Sequence, residues 1–152
     1  MEKSQSPVAR ICAGLNRGKA NYLMIGGVAC ILHGYARATE DVDILIERTE
    51  ANAGRILKAL AGLGYGFARE WTPTEILKRP ITVIGDDPRV DIFTVAWTVK
   101  YEQAAPRSTA VDVNGVKIPL ISLDDLIETK RTGRLQDAAD IEVLEEIRRR
   151  GD

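Results

Sequence analysis

Residues 41 to 46, Asp-Val-Asp-Ile-Leu-Ile, constrain the fold more than any other part of this chain. Asp41 and Asp43 are two positions apart, so in a β-strand both carboxylates point to the same side of a sheet. Two adjacent carboxylates repel each other, and burying them without partners is costly. The segment therefore predicts one of two structures: a solvated edge strand with an acidic face, or a strand whose carboxylates share a divalent cation.

Apolar periodicity and turn residues predict an α/β (α+β) chain with a mixed central sheet, flanking helices and a short C-terminal helical tail. We expect one domain over residues 1–152, with its core at about 22–120 and its C-terminal helices at about 122–150. The predicted helices are 8–20, 28–35, 50–62, one starting at 72, one from 122 to about 131, and 134–150. The predicted strands are 22–25, 41–46, a hairpin of 81–84 with 89–95 around residues 85–88, and a hairpin over 111–118 that turns at Asn114-Gly115.

Local signals fix several helix starts. Thr72 and Glu75 predict a capping box with Pro73 at the first helical position, and Ser122 with Asp125 predicts a second box. In the last helix, apolar residues recur every three positions and predict a packed side, formed by Leu135, Ala138, Ile141, Leu144 and Ile147.

Composition narrows the class of protein. The 152 residues are 45% hydrophobic and 28% charged, with a net charge of -1. A protein that coats nucleic acid would be basic, so any nucleic-acid contact should be local. Cys12 and Cys30 are predicted to be buried free thiols. No signal peptide is evident, and the longest apolar run is shorter than the roughly 20 residues needed to span a bilayer. We therefore expect a cytoplasmic protein without membrane contact.

Two further features are candidates for chemistry. Gly26-Gly27 lies at a strand-to-helix turn, where backbone N–H groups can hold a phosphate; the alternative is a tight turn or close helix–strand packing. Asp91 is a single acid within the predicted strand 89–95. It could share a second metal and take a proton from an attacking hydroxyl, or it could be an acid on a wet strand face.

Other residues favour structural roles. His33, the only histidine, is predicted to hydrogen-bond backbone near Gly34 at a helix end. Trp71 and Trp97 are predicted to be core or cleft-wall residues. The glycines at 62, 64 and 66 follow a helix, so they do not form a dinucleotide-binding motif, and no P-loop is present.

Taken together, these motifs resemble the DNA polymerase β-like nucleotidyltransferase superfamily over residues 22 to 144. The pattern is Gly-Gly, thirteen residues, Asp-hydrophobic-Asp, and a later strand with a single acid. The details are similar to its small bacterial branch of abortive-infection toxin-type and minimal nucleotidyltransferases, which is related to toxin–antitoxin systems. The residues that carry this resemblance are Ile25 to Ala29, His33-Gly34, Arg37, Thr39, Asp41 to Asp43, Leu126 to Lys130, Arg134 and Asp137 to Ile141.

The resemblance implies roles for individual residues. Asp41, Asp43 and Asp91 would be catalytic and would hold Mg²⁺, and Asp91 would act as the base. The nucleoside triphosphate, expected to be ATP, would be bound by Gly26, Gly27, Arg37, Thr39 and Lys130.

Alternatives remain for some of these residues. Lys130 could instead be a solvated helix lysine. Arg37 could instead pair with Glu40 or Asp41. Asp137 and Asp140 share a helix face, and one of them is expected to contact Lys130 or Arg134.

The predicted activity is transfer of a nucleoside monophosphate to a hydroxyl of a protein, an RNA or tRNA end, or a small molecule. A partner toxin or antitoxin protein is among the expected partners. The alternative from another class is a catalytically inactive nucleotide-binding or protein-interaction module that retains the fold.

Overall fold

The centre of the structure, a computed structural model that describes residues 6–85 and 87–151, is a mixed sheet of six strands. Their spatial order is β3-β4-β2-β1-β6-β5. The strands are β1 (Tyr22–Ile25), β2 (Val42–Ile46), β3 (Ile81–Ile84), β4 (Val90–Phe93), β5 (Thr109–Val113) and β6 (Val116–Leu120).

Both predicted hairpins are confirmed, and they form the two edges of the sheet. β3 pairs with β4 and β5 with β6, each in antiparallel register. Asn114 and Gly115 both have positive φ, as the tight turn between β5 and β6 requires. In the middle, β1 is antiparallel to β2, while β4 runs parallel to β2 and β6 parallel to β1.

Seven α-helices of the described residues surround this sheet. Thr49 caps the third, and Thr72 with Glu75 forms the predicted capping box at the fourth. Ser122 also caps its helix, but the box is incomplete because the Asp125 carboxylate accepts hydrogen bonds from Arg107 and the Ser122 hydroxyl. The helices are α1 (Pro7–Arg17), α2 (Gly26–Leu32), α3 (Glu50–Gly62), α4 (Pro73–Leu77), α5 (Tyr101–Ala104), α6 (Leu123–Thr129) and α7 (Leu135–Arg150).

The core lies between the central strands and the helices. All four residues of β1 are buried, and Ile44, Leu45 and Ile46 of β2 have no exposed surface. Such strands are hydrophobic on both sides because both faces of the sheet are covered. Cys12 and Cys30 are buried and free, as predicted. No helix in the described part of the chain is long and apolar enough to cross a membrane.

Element types were predicted better than element ends. Strands 22–25 and 81–84 and helix 50–62 have the predicted bounds. The first helix ends at Arg17 rather than 20, because Gly18 caps it and Lys19 has positive φ. The second begins at Gly26 rather than 28 and ends at Leu32. The sequence did not predict α5 or the short 3₁₀ turns at 66–70 and 105–107.

The prediction for the packed side of α7 was wrong at its N-terminal half. Leu135 is 89% exposed and Ala138 is exposed, whereas Asp137 and Asp140 are buried together with Leu144. This half of the helix docks through carboxylates because the buried Lys130 and the partly buried Arg37 meet them.

Asp140 lies at the centre of that docking. It accepts a hydrogen bond from Lys130 Nζ at 2.8 Å and from Arg37 Nη1 at 2.7 Å. Its side chain is 1% exposed. Burial alone would raise its pKa, but the hydrogen bond and charge of Lys130, followed by Gln136 and Arg37, hold the pKa of Asp140 below its usual value. The helix is therefore held by a buried ionic cluster.

We expect Asp140→Ala to lower the free energy of unfolding by about 3–5 kcal/mol, because it leaves the buried Lys130 without its nearest carboxylate. Glu128→Ala is the matched control, since Glu128 pairs with Arg131 at the surface. It should cost less than about 1 kcal/mol. Urea unfolding at pH 7 measures both. Equal losses for the two variants would contradict a structural role for the buried cluster.

Candidate functional site

Two of the predicted site carboxylates are neighbours across the sheet. Asp43 on β2 is the register partner of Asp91 on the parallel strand β4. Register partners point to the same face, so the two side chains lie side by side. Asp91 is 7% exposed and Asp43 is partly buried. The alternative that Asp91 is an acid on a solvent-exposed strand face is therefore wrong.

The glycine turn packs directly against this acid pair. Gly26 has φ +66°, and a Cβ at this position would lie 2.1 Å from Asp43 Oδ2. A Cβ at Gly27 would lie 2.5 Å from Thr39 Oγ1. Both positions thus require glycine for close approach, and at Gly26 also for its left-handed backbone. The close packing considered from the sequence is present, and phosphate binding by the turn stays a prediction.

Asp43 occupies an unfavourable electrostatic position. Its Oδ1 atom is buried and has no hydrogen-bond partner among the described residues. Burial raises the pKa of Asp43 to about 7, the charges of Asp91 and Asp41 act in the same direction, and Arg89 opposes them. A buried carboxylate oxygen without a donor is the kind of group that a cation satisfies.

Arg89 is a site residue that the sequence reasoning missed. Its Nη2 donates to Asp41 Oδ2 at 2.7 Å, and its Nε donates to Asp91 Oδ1 at 3.0 Å. The sequence contained a signal for this role. Arg89 is two positions before Asp91, so in an extended chain the two side chains point to the same side. The guanidinium partly neutralises the three acids and leaves Asp43 Oδ1 unpaired.

The carboxylate oxygens of Asp41, Asp43 and Asp91 suit a hard cation such as Mg²⁺, although the described residues do not form a complete metal site. Among residues 6–85 and 87–151, no group of three or more His, Cys, Asp or Glu side chains is arranged to hold a metal ion. Mg²⁺ does not need such a cage, since it commonly uses one or two carboxylates and completes its shell with water and substrate phosphates. Asp43 and Asp91 meet that smaller requirement, with Asp41 beside them.

A cleft of about 510 Å³ opens in front of Asp43 and Gly26. Its remaining lining forms two unlike sides. One side is polar and comes from the end of α6 and the start of α7: Thr129, Lys130, Thr132, Arg134 and Asp137. The other side is apolar and comes from the residue before β3, from β3 and β4, and from the segment after β4: Pro80, Ile81, Phe93, Val95, Ala96 and Trp97. Ile25, at the end of β1, also lines the cleft.

The structure thus brings together some predicted nucleotide-binding residues and separates others. Lys130 lines the cleft and is 8% exposed, so it is not a solvated helix lysine. Its Nζ lies 3.8 Å from Asp137, which also accepts from Arg134. The expected contacts of Asp137 and Asp140 with Lys130 and Arg134 are therefore present.

Arg37 and Thr39 do not line the cleft. Arg37 pairs with Asp140 rather than with Glu40 or Asp41. Thr39 packs against Gly27, and its hydroxyl lies 3.5 Å from the Asp41 carbonyl. Both residues support elements that carry the site.

His33 and the tryptophans take structural positions. His33 Nε2 lies 2.7 Å from the carbonyl oxygen of Ile121, so its backbone partner is on the strand-to-helix connection after β6 rather than near Gly34. Trp97 is on the cleft wall, as predicted. Trp71 is partly buried and stacks against the Arg79 guanidinium, 5.0 Å from the ring centre.

We expect Gly26→Ala to destabilise the protein by about 1–3 kcal/mol, because it places a methyl group against Asp43 and forces a non-glycine residue into positive φ. Gly62→Ala is the control: apart from its chain neighbours and its own helix, no atom of the described residues lies within 4 Å of the added Cβ, and the φ of Gly62 is ordinary. The control should be neutral or slightly stabilising. Thermal unfolding compares the two, and a neutral Gly26→Ala would show that the close approach to Asp43 is not needed.

The raised pKa of Asp43 predicts a pH dependence in chelator. Because the folded protein holds this proton more tightly than the unfolded chain, Asp43 stabilises the fold at low pH. That contribution is lost as pH rises from about 4 to about 7. Urea unfolding at pH 4.5, 6 and 8 should therefore show wild type losing stability relative to Asp43→Asn. Parallel profiles would mean that Asp43 titrates normally.

Comparisons with known proteins establish the fold. No family model and no curated protein matches the sequence. Among solved structures, an antigenic nucleotidyltransferase-like protein from Paracoccidioides brasiliensis is 18% identical with a TM-score of 0.59, over 92% of this chain and 72% of that one.

Two further solved structures have a similar fold. The lincosamide antibiotic adenylyltransferase LnuA, solved with lincomycin bound, is 17% identical with a TM-score of 0.58, over 95% of this chain and 99% of that one. A putative nucleotidyltransferase from Thermotoga maritima is 17% identical with a TM-score of 0.51, over 92% and 87%. The chain therefore has the mixed α/β fold of nucleotidyltransferase-like proteins, as its sequence predicted.

Proposed function

We propose that the protein is a Mg²⁺-dependent nucleotidyltransferase that transfers a nucleoside monophosphate from a nucleoside triphosphate, expected to be ATP, to a hydroxyl group. One observation carries the proposal. Asp43, with a buried oxygen that has no hydrogen-bond partner in the described part of the chain, lies beside Asp91 at a cleft that also contains Gly26 and Lys130. The nucleotidyltransferase-like fold supports it.

Asp43 and Asp91 would hold the metal ion, with Asp41 as the third carboxylate. When bound, Mg²⁺ would neutralise these acids and stabilise negative charge on the phosphate oxygens. For Asp41 and Asp91 this requires that Arg89 give up its present hydrogen bonds. Arg89 is able to do so, since 46% of its side chain is exposed.

The polar side of the cleft would bind the triphosphate. Lys130 supplies a positive charge whose position is fixed by Asp140, and Arg134 adds a second cation at the start of α7. The backbone N–H groups of Gly26 and Gly27, at the start of α2, would donate to the phosphate oxygens. Arg37 and Thr39 would act indirectly, through Asp140 and Gly27.

Asp91 would act as the general base. The acceptor oxygen forms a bond to the α-phosphorus while the bond between that phosphorus and the β-phosphate oxygen breaks. Pyrophosphate leaves, and the hydroxyl proton passes to the Asp91 carboxylate. Asp91 shares its face of β4 with Phe93, which lines the cleft.

Three classes of acceptor fit this chemistry: a protein side chain, an RNA or tRNA end, and a small molecule. A protein acceptor would be consistent with a partner in a toxin–antitoxin pair. The small-molecule class is favoured by the likeness to LnuA, which was solved with lincomycin bound. The alternative function is an inactive module that binds nucleotide in the same cleft.

The proposal predicts that ATP binding requires Mg²⁺ and Asp43. Isothermal titration should show binding of Mg²⁺–ATP to wild type, little binding in chelator, and little binding to Asp43→Asn. Asp91→Ala should weaken Mg²⁺–ATP binding less than Asp43→Asn does, because Asp41 and Asp43 remain to hold the metal ion, and should slow label transfer from α-labelled ATP by about 10²–10⁴-fold. Asp124→Asn, an exposed carboxylate on α6, is the control and should behave as wild type.

Two results would count against this function. Equal ATP binding with Mg²⁺ and with chelator would remove the carboxylates from the metal site. Normal Mg²⁺–ATP binding without label transfer to any of the three acceptor classes would favour the inactive module.

A further inference from the structure

The apolar side of the cleft exposes two large hydrophobic side chains. Ile81 is 40% exposed and Trp97 is 54% exposed, and Phe93, the register partner of Ile81, lines the same cleft. We call Ile81, Phe93 and Trp97 the apolar wall. A contiguous apolar surface beside charged groups marks a binding site more often than a free surface.

Strand register places the apolar wall next to the acid pair. Val83 is the register partner of Asp91, and Ile81 is the partner of Phe93. Register partners share a face, and alternate residues along a strand do too. Ile81 and Phe93 are thus the direct continuation of the face that carries Asp91, and Trp97, which follows β4, lines the same cleft. Thr82 and Ile84, which alternate with these residues, are buried on the opposite face.

The two sides of the cleft differ in the ligand groups they can accept. A triphosphate is strongly anionic, and Lys130 and Arg134 are on the polar side. Among the described lining residues, the apolar side carries no charged group. An anion would find no cationic partner among those lining residues, so this side suits an uncharged group that lies next to Asp91.

We propose that the apolar wall binds the acceptor, and that the acceptor is an uncharged small-molecule alcohol with a ring or other apolar body. This inference rests on the proposed function and specifies its substrate class. The hydroxyl would lie at Asp91 while the apolar body packs on Ile81, Phe93 and Trp97. Burying those side chains against the acceptor removes apolar surface from water, which favours binding.

The same surface disfavours an RNA or tRNA end. Nucleic-acid binding depends on cations that neutralise backbone phosphates, and the whole chain has a net charge of -1. The cleft volume of about 510 Å³ lies within the range of small-molecule sites.

The test uses the two tryptophan indole N–H signals in ¹H–¹⁵N spectra of the full chain. Trp97 reports on the apolar wall, and Trp71, which does not line the cleft, is an internal control. The probe is 4-phenyl-1-butanol, and 1,4-butanediol is a matched alcohol without the ring. We expect 4-phenyl-1-butanol to shift Trp97 and not Trp71, and the diol to shift neither.

Two further measurements identify the subsite as that of the acceptor. Ile81→Ser, a change at an exposed position that leaves the core intact, should weaken binding of the aromatic alcohol by about fivefold. With saturating Mg²⁺–ATP the Trp97 shift should persist, because acceptor and nucleotide occupy the cleft together. The backbone amides of Gly26 and Lys130 should shift with Mg²⁺–ATP.

The outcomes separate this inference from the proposed function. An unshifted Trp97, or equal shifts with the diol, would overturn the inference. Displacement of the aromatic alcohol by Mg²⁺–ATP would overturn it too, since the wall would then hold the nucleobase, and the proposed function would stand. A single-stranded RNA 12-mer that shifts Trp97 at lower concentration than the alcohol would also overturn it. Unshifted Gly26 and Lys130 amides would instead show that the proposed function fails.

Discussion

The parallel pairing of β2 with β4 is the constraint on which the rest of the candidate site depends. It aligns Asp43 with Asp91 and places two carboxylates side by side where water is largely excluded. Such an arrangement costs free energy, because like charges repel and both need donors. Arg89 meets part of that need. The remaining oxygen of Asp43 has no donor among the described residues, and folds retain such groups mainly where function uses them.

A second constraint fixes the opposite side of the cleft. Lys130 follows α6, and a buried lysine is stable only when a carboxylate meets it. Asp140 of α7 supplies that carboxylate, and Arg37 reaches the same atom from the segment after α2. Three separate parts of the chain therefore meet at one oxygen. The charged side of the cleft is in this way built from residues far apart in sequence.

The sequence predicted the sheet and the acid pair well because those signals are local. The alternation of residue types at 41–46 indicates which side chains share a face of the strand. The Asn114-Gly115 turn indicates a hairpin. Neither signal depends on distant residues. The partners of Asp140 could not be predicted in this way, since Arg37 is 103 positions away and helical periodicity alone favoured Leu135 as the packed residue. The alternation of side chains along a strand could have placed Arg89 on the same side as Asp91. Nothing local indicates, however, that its guanidinium would bridge Asp41 and Asp91.

The docking of α7 through Asp140 has a consequence for the motions of the protein. If the N-terminal half of this helix opens, Lys130 loses its nearest carboxylate and the geometry that aims it into the cleft. Local opening of α7 and occupancy of the cleft are therefore thermodynamically linked, and by reciprocity each must bias the other by the same free energy. An anion bound at Lys130 would compete with Asp140 for the ammonium group, or strengthen the cluster by adding to it. The sign of that coupling decides whether a filled cleft protects the amides of residues 135–141 from hydrogen exchange or exposes them.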